Sequence, residues 1–269
     1  MRCFIVILLL FITTVSSNAQ TEKLLRLEKV ITGDIAAFTV DGLDNIYLLS
    51  STNQVKKLSP AGDSVAVFND VKKFGQATLI DVSNPLKILL FYSDFTTVVS
   101  LDRFLNMRNS MNLRNSGILQ VSAIGQSYDN KIWVYDEVEN KLKKIDEDGK
   151  LILETPDFRQ LFGRPPVPQK IFDQDQHVYV YDSSQAVFVF DYYGALKNKI
   201  LIGSWNNFKV AGRYMFGSSG GKLLRYDIQT SLVDEWPLPE EIISSRSFNF
   251  TASRLYALKN DRLEIYSFL

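Results

Sequence analysis

The sequence predicts an all-β fold in which six four-stranded antiparallel sheets form a ring, closed by a strand from the beginning of the chain. A unit of two short alternating strands recurs along the sequence, and its core position returns at intervals of roughly 36 to 46 residues. The last unit lacks one strand, whereas a strand-like segment near the start has no other partner. This spacing and this complementarity of the ends are typical of a six-bladed β-propeller whose N-terminal strand completes the last blade.

Three stretches show the repeated unit most clearly: DNIYLLSSTNQVKKLSPAG (44–62), NKIWVYDEVENKLKKIDEDG (130–149) and QHVYVYDSSQAVFVFDYYG (176–194). In each, β-branched and aromatic residues alternate as half-buried strands require, and a closing glycine suits a tight turn. Weaker copies are 88–105, 214–227 and 255–268. The matching core positions are Ile46, Leu90, Ile132, Val178, Tyr214 and Leu255.

The two ends of the chain predict how the ring closes. The last unit supplies three strands, 247–250, 255–258 and 263–268, and then the chain stops. Segment 24–30 has the pattern of a strand and precedes the first complete unit. We expect it to pair as the outer strand of the last blade, because this removes an unpaired sheet edge.

The first residues, MRCFIVILLLFITTVSSNAQ, predict a targeting segment. Arg2 precedes an apolar run from Cys3 to Ile12, and small residues ending at Ala19 fit a cleavage pattern. The run is shorter than the ~20 residues that span a bilayer, although an uncleaved anchor is the alternative interpretation. We therefore predict a signal peptide over 1–19 and a propeller domain over 20–269, exported to a bacterial periplasm or the extracellular space, with no membrane span in the mature chain.

Composition narrows the classes of function. The chain has 30 basic and 30 acidic residues, which gives no electrostatic basis for binding nucleic acid. Its one cysteine, Cys3, falls in the predicted signal peptide, so the mature domain has neither disulfides nor a thiol nucleophile. A monomer held together by its apolar core is expected.

The units 130–149 and 176–194 resemble blades of the NHL family of six-bladed propellers. The resemblance lies in V-Y-V-x-D, a polar turn, and then V-F-V-F-D-x-x-G. NHL blades usually carry an arginine before the third strand, where this chain has Val55, Lys141 and Ala186, so the resemblance implies a divergent member. Related propellers bind protein or RNA, act as calcium-dependent lactonases or hydrolases, or are lyases built on metal-bound histidines. The fold alone does not choose among these activities.

His177 is the only histidine, and its position argues against the lyase. It matches Asn45 and Lys131 at the start of a predicted strand, so we expect a structural residue at the surface; a histidine-based metal site needs several such ligands. No nucleophile-elbow, P-loop, zinc-protease or dinucleotide-binding motif is present.

Acidic turns offer oxygen atoms that could hold Ca²⁺, although Asp, Asn and Gly are also the residues that turns prefer. These turns are 41–45, 146–149 and 173–175. No metal site and no cofactor are predicted, calcium being the one candidate.

One rim of the ring is the predicted binding site. Asp94, Asp136 and Asp182 are expected at equivalent turns of three blades. The longest connection, FRQLFGRPPVP (158–168), is expected on the same rim with Arg159 and Arg164, as is a second connection, 107–114, with Arg108 and Arg114. The alternative is that these are ordinary solvated turns.

The leading hypothesis is therefore an exported, non-enzymatic propeller that binds a protein or an extracellular ligand through this rim. The first alternative is a calcium-dependent hydrolase or lactonase-like enzyme with carboxylates in the central channel. A third hypothesis is glycan binding through exposed tryptophans among Trp133, Trp205 and Trp236, of which Trp133 is expected to pack inside.

Overall fold

The structure, a computed structural model, describes residues 25–260 and 262–268. Six four-stranded antiparallel sheets form a ring, which confirms the predicted fold. The predicted signal peptide over 1–19 and its cleavage after Ala19 lie outside the described residues. Within the described part, no helix has the length and apolar character needed to cross a membrane.

Twenty-four strands make up the described chain. In order they are β1 (Leu25–Thr32), β2 (Ala37–Val40), β3 (Ile46–Leu49), β4 (Val55–Leu58), β5 (Ser64–Phe68), β6 (Ala77–Asn84), β7 (Lys87–Tyr92), β8 (Thr97–Asp102), β9 (Met107–Asn112), β10 (Val121–Gln126), β11 (Ile132–Asp136), β12 (Lys141–Ile145), β13 (Leu151–Glu154), β14 (Lys170–Gln174), β15 (His177–Asp182), β16 (Ala186–Asp191), β17 (Leu196–Ile200), β18 (Asn206–Ala211), β19 (Tyr214–Ser219), β20 (Lys222–Asp227), β21 (Val233–Pro237), β22 (Ser247–Phe250), β23 (Arg254–Leu258) and β24 (Arg262–Phe268). Short helices lie between blades: α1 (Val71–Phe74), α2 (Phe158–Phe162) and α3 (Glu240–Ile243).

Each set of four consecutive strands from β2 onward is one blade, so β2–β5 form blade 1 and β18–β21 form blade 5. The six predicted core positions all fall in the second strand of a blade, on β3, β7, β11, β15, β19 and β23. The repeat deduced from turn signals is therefore the blade itself.

Blade 6 is built from both ends of the chain. β22, β23 and β24 supply three strands, and β1 pairs antiparallel with β24 from Leu25 opposite Phe268 to Thr32 opposite Arg262. Glu28 of β1 also forms an ion pair with Arg254 of β23, at 3.0 Å between Oε2 and Nε. The predicted closing strand is thus confirmed, with its end two residues beyond the predicted one.

The first strand of every blade lies at the inside of the ring. β2, β6, β10, β14, β18 and β22 each contact the first strand of the next blade, and the sixth contact returns to β2. These six strands surround the central channel. Because strands alternate in direction, the turns between second and third strands lie on one face together with the connections between blades; this is called the connection face below.

Half-buried carboxylates join neighbouring blades near the opposite face. Asp173 of blade 4 accepts hydrogen bonds from Ser127 Oγ (2.8 Å) and Trp133 Nε1 (2.8 Å) of blade 3. Asp44 of blade 1 likewise accepts from Tyr256 OH of blade 6 at 2.9 Å. In the described domain, which contains no cysteine, such bonds link the blades alongside apolar packing.

Candidate interaction face

Asp182, predicted to face a partner, is buried and fully engaged by its own blade. It is 1% exposed at the end of β15. One carboxylate oxygen accepts from Ser184 N (2.7 Å) and Ser184 Oγ (2.7 Å), and the other accepts from Val167 N (2.9 Å) and Gln185 Nε2 (3.2 Å). Asp182 therefore fastens the proline-containing connection 163–168 to the turn of blade 4.

Asp136 is the register equivalent of Asp182 in blade 3, and it is also buried, with 0% exposure. It accepts from Val138 N at 2.9 Å and forms an ion pair with Lys143, at 2.8 Å between Oδ2 and Nζ. Burial lowers and the ion pair raises the pKa of Lys143, and the net shift is upward. The carboxylate thus neutralises a buried lysine, which is a structural role.

Asp94 differs from the other two predicted carboxylates in position and in exposure. The register pairs Tyr92 with Thr97 where blade 4 pairs Asp182 with Ala186, so Asp94 lies two residues beyond the equivalent place. It is exposed. The predicted equivalence with Asp136 and Asp182 was wrong, because the blade 2 residue in register with Ile132 and Val178 is Ile88 and not the predicted Leu90, two residues further on.

Replacing Asp182 with alanine is expected to lower the free energy of unfolding by about 2 kcal/mol, because buried donors such as the Val167 N–H lose their acceptor. Thermal and denaturant unfolding measure the loss, and limited proteolysis should show faster cleavage within 163–168. The matched control is Asp94→Ala, an exposed carboxylate expected to change stability by less than about 0.5 kcal/mol. Equal effects of the two substitutions would contradict this assignment.

The two predicted arginines, Arg159 and Arg164, differ in whether a carboxylate pairs with them. Arg159 is exposed and chelated by Asp157, with Nε 2.9 Å and Nη2 2.6 Å from Oδ2. Arg164 is exposed, and its side chain has no ion pair or hydrogen bond within residues 25–260 and 262–268. Arg164 is therefore the cation on this connection with unused donors.

The segment 107–114 was predicted as a connection, and this was wrong over most of its length. Residues Met107–Asn112 form β9, the outer strand of blade 2, where Arg108 pairs with Asp102 at 2.9 Å. Only Arg114 reaches the connection face, where its Nη2 donates to the Asp94 carbonyl at 3.2 Å. The sequence did not reveal β9 because this outer strand is exposed over most of its length and, apart from the buried Met111, lacks apolar alternation.

Exposed apolar side chains are the feature of the connection face that the sequence did not reveal. They occur in turns and in blade connections from blade 2 to blade 6 and are 41% to 76% exposed. They are Phe95, Leu119, Val138, Leu161, Val167, Leu201 and Ile243. Clustered exposed apolar residues on a soluble domain commonly mark an interaction surface.

Hydrogen bonds make the part of this face over blades 2 to 4 continuous. Thr96 Oγ1 donates to the Leu119 carbonyl at 3.3 Å, and Glu137 N donates to the Gln120 carbonyl at 3.0 Å. Phe158 N donates to the Asn140 carbonyl at 2.8 Å. Turns and connections are therefore fastened to one another, so Phe95, Leu119, Val138 and Val167 project from a single scaffold.

The structure also places the residues on which the metal, histidine and glycan-binding hypotheses depend. Among the described residues, no group of three His, Asp or Glu side chains has the geometry of a metal site. His177 begins β15, with Nδ1 2.9 Å from the Asp175 carbonyl oxygen. Trp133 and Trp205 are buried, and Trp236 is 41% exposed on the outer strand β21 beside Arg225.

No protein-family model matches the sequence, and no curated protein matches it. Solved structures do match. A catalytically inactive virginiamycin B lyase from Staphylococcus aureus with quinupristin superposes with a TM-score of 0.60 at 12% identity, over 90% of this chain and 99% of that one. The chain is a divergent six-bladed β-propeller.

Two further bacterial structures share the propeller architecture. BamB from Moraxella catarrhalis matches with a TM-score of 0.54 at 13% identity, over 91% of this chain and 100% of that one. PorZ, described as an essential surface component of the type-IX secretion system of Porphyromonas gingivalis, matches with a TM-score of 0.55 at 10% identity, over 87% of this chain and 32% of PorZ. At these identities the likeness is one of fold.

Proposed function

We infer that the protein is an exported, non-enzymatic binding propeller that engages a protein partner through the connection face. The observation that carries this proposal is the set of exposed apolar side chains on the hydrogen-bonded turns and connections of blades 2 to 4, with the guanidinium of Arg164, which has no partner among the described residues, on the same face. Aromatic, aliphatic and arginine side chains form the energetically important centres of protein interfaces. A ring of rigid blades holds them in place, so that little order has to be gained on binding.

Two further considerations support the proposal. The buried carboxylates Asp136 and Asp182 brace the turns beneath the surface, as a preorganised interface requires. The likeness to PorZ, described as a surface component of a bacterial secretion system, agrees with an exported protein in the periplasm or at the cell surface. The NHL family remains the subfamily that the blade pattern predicts.

Binding is expected to fall at least about tenfold when a charge is placed in the centre of this face, because a buried unpaired charge is costly in an interface. The variants are Leu119→Glu and Arg164→Glu. Chemical crosslinking in the cell envelope of the source organism, followed by affinity purification with the wild-type protein, identifies the partner, and its affinity for each variant is then measured.

The control places the same charge on the other face. Leu232 is 66% exposed in the turn between β20 and β21, and Leu232→Glu should bind as the wild type does. Arg159→Glu is a weaker test, since Asp157 already neutralises this arginine. Wild-type affinity of both Leu119→Glu and Arg164→Glu, with their folds intact, would overturn the assignment of the face.

A further inference from the structure

The central channel carries two lysines that no carboxylate neutralises at contact distance. Lys170 is the first residue of β14, and Lys209 lies in β18, so both belong to the inner ring of strands. Neither forms an ion pair within 4.0 Å among the described residues, whereas the buried Lys143 and Lys144 each do. Their charges are therefore available to a ligand.

Each of the two lysines reaches the next inner strand of the ring. Lys170 Nζ donates to the Phe208 carbonyl at 3.1 Å, which is the peptide group directly before Lys209. Lys209 Nζ in turn donates to the Phe250 carbonyl of β22 at 2.7 Å and lies 5.4 Å from the centre of the Phe250 ring. Each ammonium group has three N–H donors, so two remain on each lysine after these bonds.

The carbonyl that receives Lys209 faces the channel. At the turn between β22 and β23, Thr251 N donates to the Arg254 carbonyl, so these two residues form a hydrogen-bonded pair. The next pair along the two strands is Phe250 opposite Leu255. In an antiparallel ladder the pairs alternate, so Phe250 directs its carbonyl away from β23 and toward the ring axis. Lys170 begins its strand directly after the connection 155–169, which places it at the mouth of the channel on the connection face.

The strand register shows what else lines the channel at the depth of Lys209. The residues of the inner strands at this level are Thr39, Asp81, Gly125, Phe172, Lys209 and Asn249. Asp81 is the one carboxylate in that layer, and its oxygens accept from Gln126 N (2.7 Å) and Ser83 N (2.8 Å). Lys209 and Asp81 are the charged residues of this layer, and Lys170 adds a positive charge two residues nearer the connection face.

Other polar groups of the inner ring also lack partners. Ser122 Oγ and both side-chain amide atoms of Gln126, on β10, are buried with no hydrogen bond to the described protein. Buried polar groups of this kind are ordinarily satisfied by water or by a ligand. The wall of the channel is thus polar.

We propose that the channel is a binding site for a small oxyanion, such as sulfate, phosphate or the carboxylate of a metabolite, held between Lys170 and Lys209. Two ammonium groups on adjacent strands suit the several acceptor oxygens of such an ion. The site is separate from the proposed protein interface, and it opens on the same face.

The electrostatics of the lysines agree with this geometry. Burial is the largest cause, and together with the neighbouring Lys170 it lowers the pKa of Lys209 to about 8, while Asp44 and Asp41 act in the opposite direction. Burial also lowers the pKa of Lys170, against the effect of Asp81. Lys170 as a whole residue is exposed to water at the channel mouth, so the lowering of its pKa reflects the protein atoms around its ammonium group. A bound anion would compensate for the lost hydration and for the repulsion between the lysines.

Calorimetric titration with sulfate tests the proposal, because sulfate does not change its charge between pH 6 and 10. The wild type should bind sulfate with 1:1 stoichiometry at constant ionic strength, and the double variant Lys170→Met/Lys209→Met should bind at least ten times more weakly. Lys222→Met is the matched control, since Lys222 pairs with Glu235 at 2.6 Å on the outer part of blade 5. It should bind as the wild type does.

Three results would overturn the proposal. They are no sulfate binding by the wild type, equal binding by the double variant, or an equal loss in Lys222→Met. Should the double variant fail to fold, each single methionine variant is expected to weaken binding about fivefold, and unchanged binding by both would be equally decisive. Ca²⁺ in place of sulfate should give no binding heat, whereas a calcium response of the wild type would favour the hydrolase hypothesis.

Discussion

Deletion of residues 25–32 is expected to lower the free energy of unfolding by roughly 5 kcal/mol, because seven strand-register pairs with β24 are lost. The β1 side chains are mostly exposed, so the loss comes from main-chain hydrogen bonds and from opening the ring. β24, which contains the apolar residues Leu263 and Ile265, would become an unpaired edge, and such an edge favours association between copies. Chemical denaturation measures the stability, and analytical ultracentrifugation measures the association.

The control variant keeps β1 and changes one exposed side chain on it. Arg26→Ala removes an exposed side chain whose ion pair with Glu28 is 3.8 Å long, and stability should change by less than about 0.5 kcal/mol. A deletion variant as stable and as monodisperse as Arg26→Ala would show that the ring closes without β1.

Asp173→Ala is expected to cost about 3 kcal/mol, corresponding to a fall in Tm of roughly 6 to 12 °C for a domain of this size. Trp133, with 0% exposure, and Tyr192, whose OH donates to Asp173 at 2.7 Å, would both lose their acceptor. Burial and the bond to Asp173 raise the pKa of Tyr192, so the same substitution should shift its titration downward. Thermal unfolding and ultraviolet titration of tyrosine report the two effects.

Two further substitutions distinguish the hydrogen bonds that Asp173 accepts from its negative charge and from the loss of any carboxylate. Asp173→Asn retains one acceptor oxygen and should cost about 1 kcal/mol, while Asp148→Ala, in an exposed turn, should be nearly neutral. An Asp173→Ala protein as stable as Asp148→Ala would refute the role of this carboxylate in joining blades 3 and 4.

The fold was predictable because its signals are local. Alternation such as Val178-Tyr179-Val180 and turn glycines such as Gly194 mark each hairpin without knowledge of the rest of the chain. The closing strand was predictable from a count of strands. β9 was missed because an outer strand that is exposed over most of its length can be as polar as Met107–Asn112.

The candidate sites were less predictable because they depend on which strand is innermost and on the register of the strands within each blade. Asp136 and Asp182 were placed in equivalent turns correctly, but nothing local showed that the structure would bury them. Lys170 and Lys209 were overlooked, although a lysine inside an apolar strand, as in Phe208-Lys209-Val210, was a usable signal. Exposed apolar residues such as Leu119 are indistinguishable from core residues until the fold is known.

The construction of blade 6 also determines how freely the chain can be rearranged. Leu25 lies opposite Phe268, so the two ends of the described chain are about 5 Å apart across one strand pair. A linker of a few residues would join them into an ordinary hairpin, and new ends could be made at an exposed turn elsewhere. The order of the blades around the ring, and not the point at which the chain starts, is what this architecture preserves.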